Sequence, residues 1–217
     1  SRLFPGPCIH IGGDEVKFDA WQKSASVQHY MQQHGLSNYR DVQVNFTNEI
    51  SKYIENELGK KMMGWNEILG INVHNWASAT PDATRQLSKN AVVHFWTGKQ
   101  NVLKYAIDNN YTVVNSFSDD TYLNYSYDQL PLGRSYAFNP VPQGYKPEQI
   151  YGTGCQLWTE WIRNRTDLEK HFFPRIAAYA ETGWTPASEK SYTRFLDALE
   201  ALKKRWRKSG YTISNEY

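Results

Sequence analysis

"CIHIGGDEV", residues 8–16, reads as a short apolar strand that stops at two glycines and delivers Asp14 and Glu15 side by side. Along a strand, neighbouring side chains point to opposite faces. Both carboxylates therefore reach one pocket only where the chain turns. Gly12–Gly13 permits that turn, because glycine adopts backbone conformations closed to other residues. A charged Asp14 disfavours a second charge on Glu15, so one carboxylate can stay ionised while its neighbour keeps a proton to donate. That division of labour suits glycoside cleavage. The same pair would be ordinary in the first turn of a helix, where carboxylates complement the helix dipole.

Outward from this stretch, five segments read as short buried strands: Cys8–Gly12, Lys61–Trp65, Ala91–Trp96, Thr112–Phe117 and Ile150–Trp158. Helical spacing of apolar residues lies between and after them. Ala20–His34 reads as a helix with Asp19 as N-cap and Gly35 as C-cap, and Val42–Leu58 as one closed by Gly59. Lys99–Asn109, Phe173–Thr182 and Ser191–Lys208 follow the same pattern, the last with Leu196, Leu199, Leu202 and Trp206 along one face. Alternating strands and helices imply parallel strands joined by crossovers.

Two folds satisfy that order, an open doubly wound sheet and a (β/α)8 TIM barrel. No G-x-G-x-x-G follows the first strand, and the glycines at 152–154 do not open a helix, so no dinucleotide site is signalled. Polar and aromatic residues instead recur at strand C-terminal ends: Asp14–Glu15, Trp65–Glu67, Trp96 and Trp158–Glu160. Barrel enzymes build their active sites there. The long loop Ser118–Gln149, rich in Tyr, Asn and Pro, is of a length that is usually functional or disordered.

With 217 residues the chain can bury one substantial core, and a single domain over 1–217 is the expectation. A net charge of +2 gives no footprint for nucleic acid, and no apolar run is long enough to span a membrane. Cys8 and Cys155 read as free, buried thiols, and no spacing of His, Cys and carboxylates suggests a metal. N-x-S/T acceptors stand at Asn45, Asn110, Asn124 and Asn164. Aromatic residues make up 15%, with 8 Trp and 15 Tyr, and flat rings of this kind stack on the C–H faces of sugars.

"HIGGDE" resembles the H-x-G-G-D-E motif of glycoside hydrolase family 20, the β-N-acetylhexosaminidases, where it ends the fourth barrel strand. The resemblance continues through "GWNEIL", "VVHFW", "TYLNYSY", "GTGCQLWTEWI" and "FFPRIAAYAETGW", in that order, along nearly the whole chain. It implies the C-terminal five-eighths of a TIM barrel, no cofactor, and removal of terminal β-linked N-acetylglucosamine or N-acetylgalactosamine from a glycan. In the mechanism it implies, the substrate's own 2-acetamido oxygen attacks the anomeric carbon. Asp14 would then hold the acetamido N–H, and Glu15 would protonate the leaving oxygen and later deprotonate water. Trp65, Trp96 and Trp158 match residues that wall in the acetamido group, Tyr122 the tyrosine that bonds its oxygen, and Glu160 a carboxylate that binds sugar hydroxyls. Asn124 stands where the family usually has Asp, and can bond a hydroxyl without carrying charge. His10 shares strand parity with Asp14 and is expected beneath it, as a core or a functional residue. His94 reads as structural, and Arg175 as a packing or salt-bridge residue.

By the same resemblance, strands one to three and a sugar-binding arginine on the first have no counterpart in the sequence. The expectation that follows is an open barrel that self-associates, most simply as a two-fold homodimer. A monomer whose strands curl shut, or whose loop Ser118–Gln149 folds across the gap, is the alternative. The runner-up function is a truncated, weakly active or inert barrel that binds amino-sugar glycans. The family likeness favours a secreted or periplasmic location.

Overall fold

The computed structural model describes residues 3–77 and 79–216. Five strands, β1 (Cys8–His10), β2 (Lys61–Trp65), β3 (Val92–Phe95), β4 (Thr112–Asn115) and β5 (Gly152–Thr153), stand in one sheet in chain order. The register is parallel, with Cys8 opposite Lys61, His10 opposite Met63, and Trp65 opposite His94. The helices are α1 (Asp19–Gln22), α2 (Ala25–His34), α3 (Tyr39–Leu58), α4 (Gln100–Asp108), α5 (Ser118–Thr121), α6 (Leu132–Ala137), α7 (Arg165–Phe172), α8 (Arg175–Trp184) and α9 (Tyr192–Lys208). The expected α/β class, with five parallel strands and helical crossovers, is what forms. Among the described residues no helix is long and apolar enough to cross a membrane.

The chain forms two compact units. The first runs up to Val114 and includes Tyr145–Tyr151. Its core contains Val44, Met62, Ile68, Val92, Val93, Leu103 and Val113, all fully or nearly fully buried. Val92 and Val93 are adjacent yet both buried, as in a parallel strand covered on both faces. Burial of each such side chain contributes about 1.5–3 kcal/mol. Helix α3 starts where the Asn38 side chain accepts the amides of Arg40 and Asp41, and ends at Gly59 with φ 60°. Asp41 is buried in its first turn and accepts from Ser37, Thr84 and Arg85 amides. Burial pushes its carboxyl up, but those bonds together outweigh burial and hold it below the usual carboxylate range.

The second unit holds Asn115–Gly144 and the residues from Gly152 onward. Leu132, Tyr136, Ala177, Ala178, Phe195 and Leu199 form its main core, with Leu196, Leu202 and Trp206 packed against it. The apolar face expected for the last helix is thus the face α9 buries. Arg175 is 0% exposed and organises this unit. Its guanidinium donates to the carbonyls of Leu123, Tyr125, Leu130 and His171 and lies 4.2 Å from the Tyr127 ring. Burial lowers its pKa, against the opposing effect of the tyrosines. Among the described residues it packs and hydrogen-bonds carbonyls rather than forming a salt bridge, which favours the packing reading of this residue.

Several expected boundaries are corrected. The helix over 20–34 is two helices: α1 ends at Gln22 with Lys23 as its C-cap, and the Ser24 hydroxyl accepts the Val27 amide to start α2. Asp19 lies inside α1, where Phe18 is the N-cap. The last strand shrinks from 150–158 to two residues, leaving Trp158 well beyond it. The loop 118–149 contains α5 and α6, and α7 forms where the apolar spacing marks no helix. Both cysteines are free but only half-buried.

Candidate active site

In the first unit the chain leaves β1 through a left-handed turn. Gly12 and Gly13 have φ 74° and 92°, and Glu15 follows at φ 50°. A non-glycine residue in that region costs about 1–2 kcal/mol, so neighbouring contacts must hold Glu15 there. Trp65 N–H donates to the Gly12 carbonyl (2.9 Å) and the Gln43 side chain to the Gly13 carbonyl (2.8 Å). The Glu15 amide donates to Glu67 Oε1 over a long 3.4 Å. At Gly13 a Cβ would stand 2.6 Å from Ile68 Cγ2, so only glycine fits. The turn anticipated from the two glycines is present, and Asp14 and Glu15 are both exposed.

Rings surround this turn. Trp65 and Trp96 meet edge to face, with centroids 6.3 Å apart. His10 lies 4.8 Å and His94 4.4 Å from Trp65. His10 Nδ1 accepts the Gly12 amide (3.1 Å), so in the neutral ring Nε2 carries the proton and donates to His94 Nδ1 (3.3 Å). Burial, and then the proximity of His10, lowers the His94 pKa to about 4. Burial also lowers that of His10, with the Asp14 charge opposing it. His10 is exposed rather than a core residue, though rings flank it.

Glu67 is only 3% exposed, in the short helical turn Asn66–Leu69 that follows β2. Its Oε2 accepts the Trp96 indole N–H (2.9 Å), and its Oε1 pairs with His74 Nε2 (2.8 Å) as well as with the Glu15 amide. Next to it, Asn66 accepts the amides of Trp96 and Thr97, fixing the end of β3. His74 stacks on Trp76, centroids 4.9 Å apart at 16°, and Trp76 is 50% exposed. In the sequence, Glu67 stands out only as a polar residue at a strand end. Nothing in the sequence marked His74 or Trp76.

The second unit carries the remaining candidates. Tyr122 is buried and meets Trp158 edge to face at 5.9 Å and Tyr125 at 5.9 Å. An isolated parallel bridge joins Tyr122 to Gln156, and the Leu123 amide donates to the Gln156 carbonyl (2.7 Å). Asn124 Oδ1 is buried with no hydrogen-bond partner among the described residues. Glu160 is exposed on the segment after Trp158. Thus Asp14, Glu15, Trp65 and Trp96 gather in one unit, and Tyr122, Asn124, Trp158 and Glu160 belong to the other. Among the described residues no group of His, Cys, Asp and Glu could hold a metal ion. A cavity of about 420 Å³ in the first unit is lined by Asp82, Arg85, Asn101 and Tyr105, among others, and includes none of the carboxylate cluster.

Comparison with known proteins follows the same residues. Residues 1–187 match the model for "Glycosyl hydrolase family 20, catalytic domain". A beta-hexosaminidase of Porphyromonas gingivalis is 29% identical over 214 residues, covering 92% of this chain and 26% of that protein. Among solved structures, the exo beta-N-acetylglucosaminidase of Vibrio harveyi in complex with N-acetylglucosamine superposes with TM-score 0.83 at 28% identity, covering 100% of this chain and 34% of that one. The chitobiase of Flavobacterium johnsoniae gives TM-score 0.78 at 28% identity, covering 97% and 30%. The chain therefore spans about a third or less of the length of these relatives.

Proposed function

This chain belongs to glycosyl hydrolase family 20, and on that premise we propose that it removes terminal β-linked N-acetylglucosamine or N-acetylgalactosamine from glycans by substrate-assisted retention. The observation that carries the reading is the adjacent Asp14–Glu15 pair at a left-handed turn, tied through Glu67 to the indole of Trp96. The acetamido carbonyl oxygen attacks the anomeric carbon as the bond to the leaving oxygen breaks. The Glu15 carboxyl gives its proton to that oxygen. Asp14 accepts the acetamido N–H and offsets the positive charge that develops on the oxazolinium ring. Water then attacks the anomeric carbon as its bond to the acetamido oxygen breaks and the acetamido group re-forms, and the water gives a proton to the Glu15 carboxylate; two inversions leave the configuration retained. Intramolecular attack gains from orientation, which is why the acetamido group needs walls.

Trp65 and Trp96 are assigned as such walls. By the resemblance of their motifs, Trp158 is assigned the same task, Tyr122 a hydrogen bond to the acetamido oxygen, and Asn124 and Glu160 bonds to sugar hydroxyls. The buried Asn124 Oδ1, which has no hydrogen-bond partner among the described residues, supports a polar ligand contact there. We also propose that copies of the chain associate. Phe4, Trp161 and Trp184 are exposed and offer apolar surface for it, and light scattering at micromolar concentration tests this.

The direct test is turnover of 4-nitrophenyl β-N-acetylglucosaminide with the released sugar followed by NMR. The β-anomer appearing first supports the reading. The α-anomer first, or binding of the sugar without turnover, overturns it; the latter is the outcome expected of an inert glycan-binding barrel.

A further inference from the structure

We propose that Glu67 is a positioning residue, whose buried carboxylate aims the acid/base group Glu15 and the Trp96 wall together. The inference rests on the reading of Glu15 and Trp96 given above. A carboxylate this buried is tolerated only where hydrogen-bond donors surround it. Glu67 has three partners, each on a different connection: the Glu15 amide after β1, His74 after β2, and the Trp96 indole at the end of β3. One anion therefore fixes the C-terminal ends of three neighbouring strands relative to one another. Its effect on Glu15 is specific, because that residue sits at φ 50° in a conformation its own side chain disfavours. The 3.4 Å hydrogen bond from the Glu15 amide to Glu67 Oε1 helps hold the backbone that carries the acid in place. The same carboxylate sets the rotation of the Trp96 indole, which otherwise turns about its side-chain bonds.

The carboxylate cannot be replaced by its neutral isostere. Glutamine has one acceptor oxygen, and its NH2 group would face either the Trp96 N–H or the Glu15 amide. Glu67→Gln thus breaks one link while preserving shape. A displacement of about 1 Å at a reacting group costs on the order of 100-fold in rate. The loss should fall hardest on substrates whose leaving group needs the proton.

Two measurements on the full chain decide it. The first compares NMR spectra of isotope-labelled wild type and Glu67→Gln, with the Trp96 indole resonance identified from Trp96→Phe. The Glu15 amide and the Trp96 indole N–H should both move upfield, since both lose an anionic acceptor, while amides of β3 stay in place. Either of the pair remaining unmoved overturns the linkage. The second compares kcat for alkyl and 4-nitrophenyl β-N-acetylglucosaminides. A drop of ~10–100-fold for the alkyl substrate and a clearly smaller one for the activated substrate supports positioning. Equal losses on both mean that Glu67 only maintains the fold, and overturn the proposal. If wild type turns over neither substrate, it is the proposed function that fails, and the two resonances still decide whether Glu67 holds Glu15 and Trp96.

Discussion

Replacing Gly13 by alanine tests the turn that presents the two carboxylates. Two costs are separable there. At φ 92° any side chain is strained, by about 1–2 kcal/mol. In addition, the new Cβ would stand 2.6 Å from Ile68 Cγ2, where carbon atoms normally rest about 3.5–4.0 Å apart. Ile68 is fully buried, so the overlap must be relieved by shifting its side chain or the backbone, at about 1–3 kcal/mol. The sum is ~2–5 kcal/mol, or roughly 2–4 °C in Tm for each kcal/mol. Gly144→Ala is the control, because it has φ 90° but nothing within 4 Å of the added carbon. It should lose only the strain. Urea unfolding of both variants gives the difference, expected near 1–3 kcal/mol. In an Ile68→Ala background that difference should largely vanish, because the clashing methyl is gone. Gly13→Ala proving as mild as Gly144→Ala would refute the close approach at this turn.

Glu15→Gln should lose about 10²–10⁴-fold in kcat on alkyl glycosides and much less on 4-nitrophenyl substrates, whereas Asp14→Ala should damage both, as steady-state kinetics with the two substrate types will show. Stability should fall as pH drops from about 6.5 to 4, since unfolded His94 takes up a proton that the folded ring, with its pKa near 4, refuses. The contribution is up to about 3 kcal/mol, fully present above the unfolded pKa, and urea midpoints for His94→Gln should show a flatter acid limb. Arg175→Lys should destabilise by about 2–4 kcal/mol, because one ammonium cannot serve the carbonyls of Leu123, Tyr125, Leu130 and His171 and leaves buried acceptors unpaired. Thermal unfolding measures it, and no loss would mean those bonds carry nothing.

What the sequence disclosed was what local chemistry controls. Lys61–Trp65 forms over the bounds its apolar run suggested, and Gly35 and Gly59 close their helices at φ 58° and 60°. The break at Ser24 escaped notice because apolar spacing continues across it, and only the hydroxyl bond to Val27 marks the new start. Ile150–Trp158 has a strand's composition, yet its polar backbone finds partners piecemeal: Tyr151 with Val113, and Gln156 with Thr121 and Leu123. The carboxylate pair was legible because the residues are adjacent. Glu67 was not, since its three partners come from separate connections and meet only after folding. The same holds for Arg175, whose acceptors include the backbone carbonyls of Leu123, Tyr125, Leu130 and His171 and leave little trace in side-chain pattern.

The central claim is that the substrate supplies its own nucleophile. Its most direct test compares kcat/KM for 4-nitrophenyl β-N-acetylglucosaminide with that for the matching β-glucoside, which has a plain hydroxyl at carbon 2. Loss of the internal nucleophile forfeits the advantage of a pre-oriented intramolecular attack, so the glucoside should be slower by at least ~10³-fold. Comparable rates for the two substrates would contradict substrate assistance in this chain.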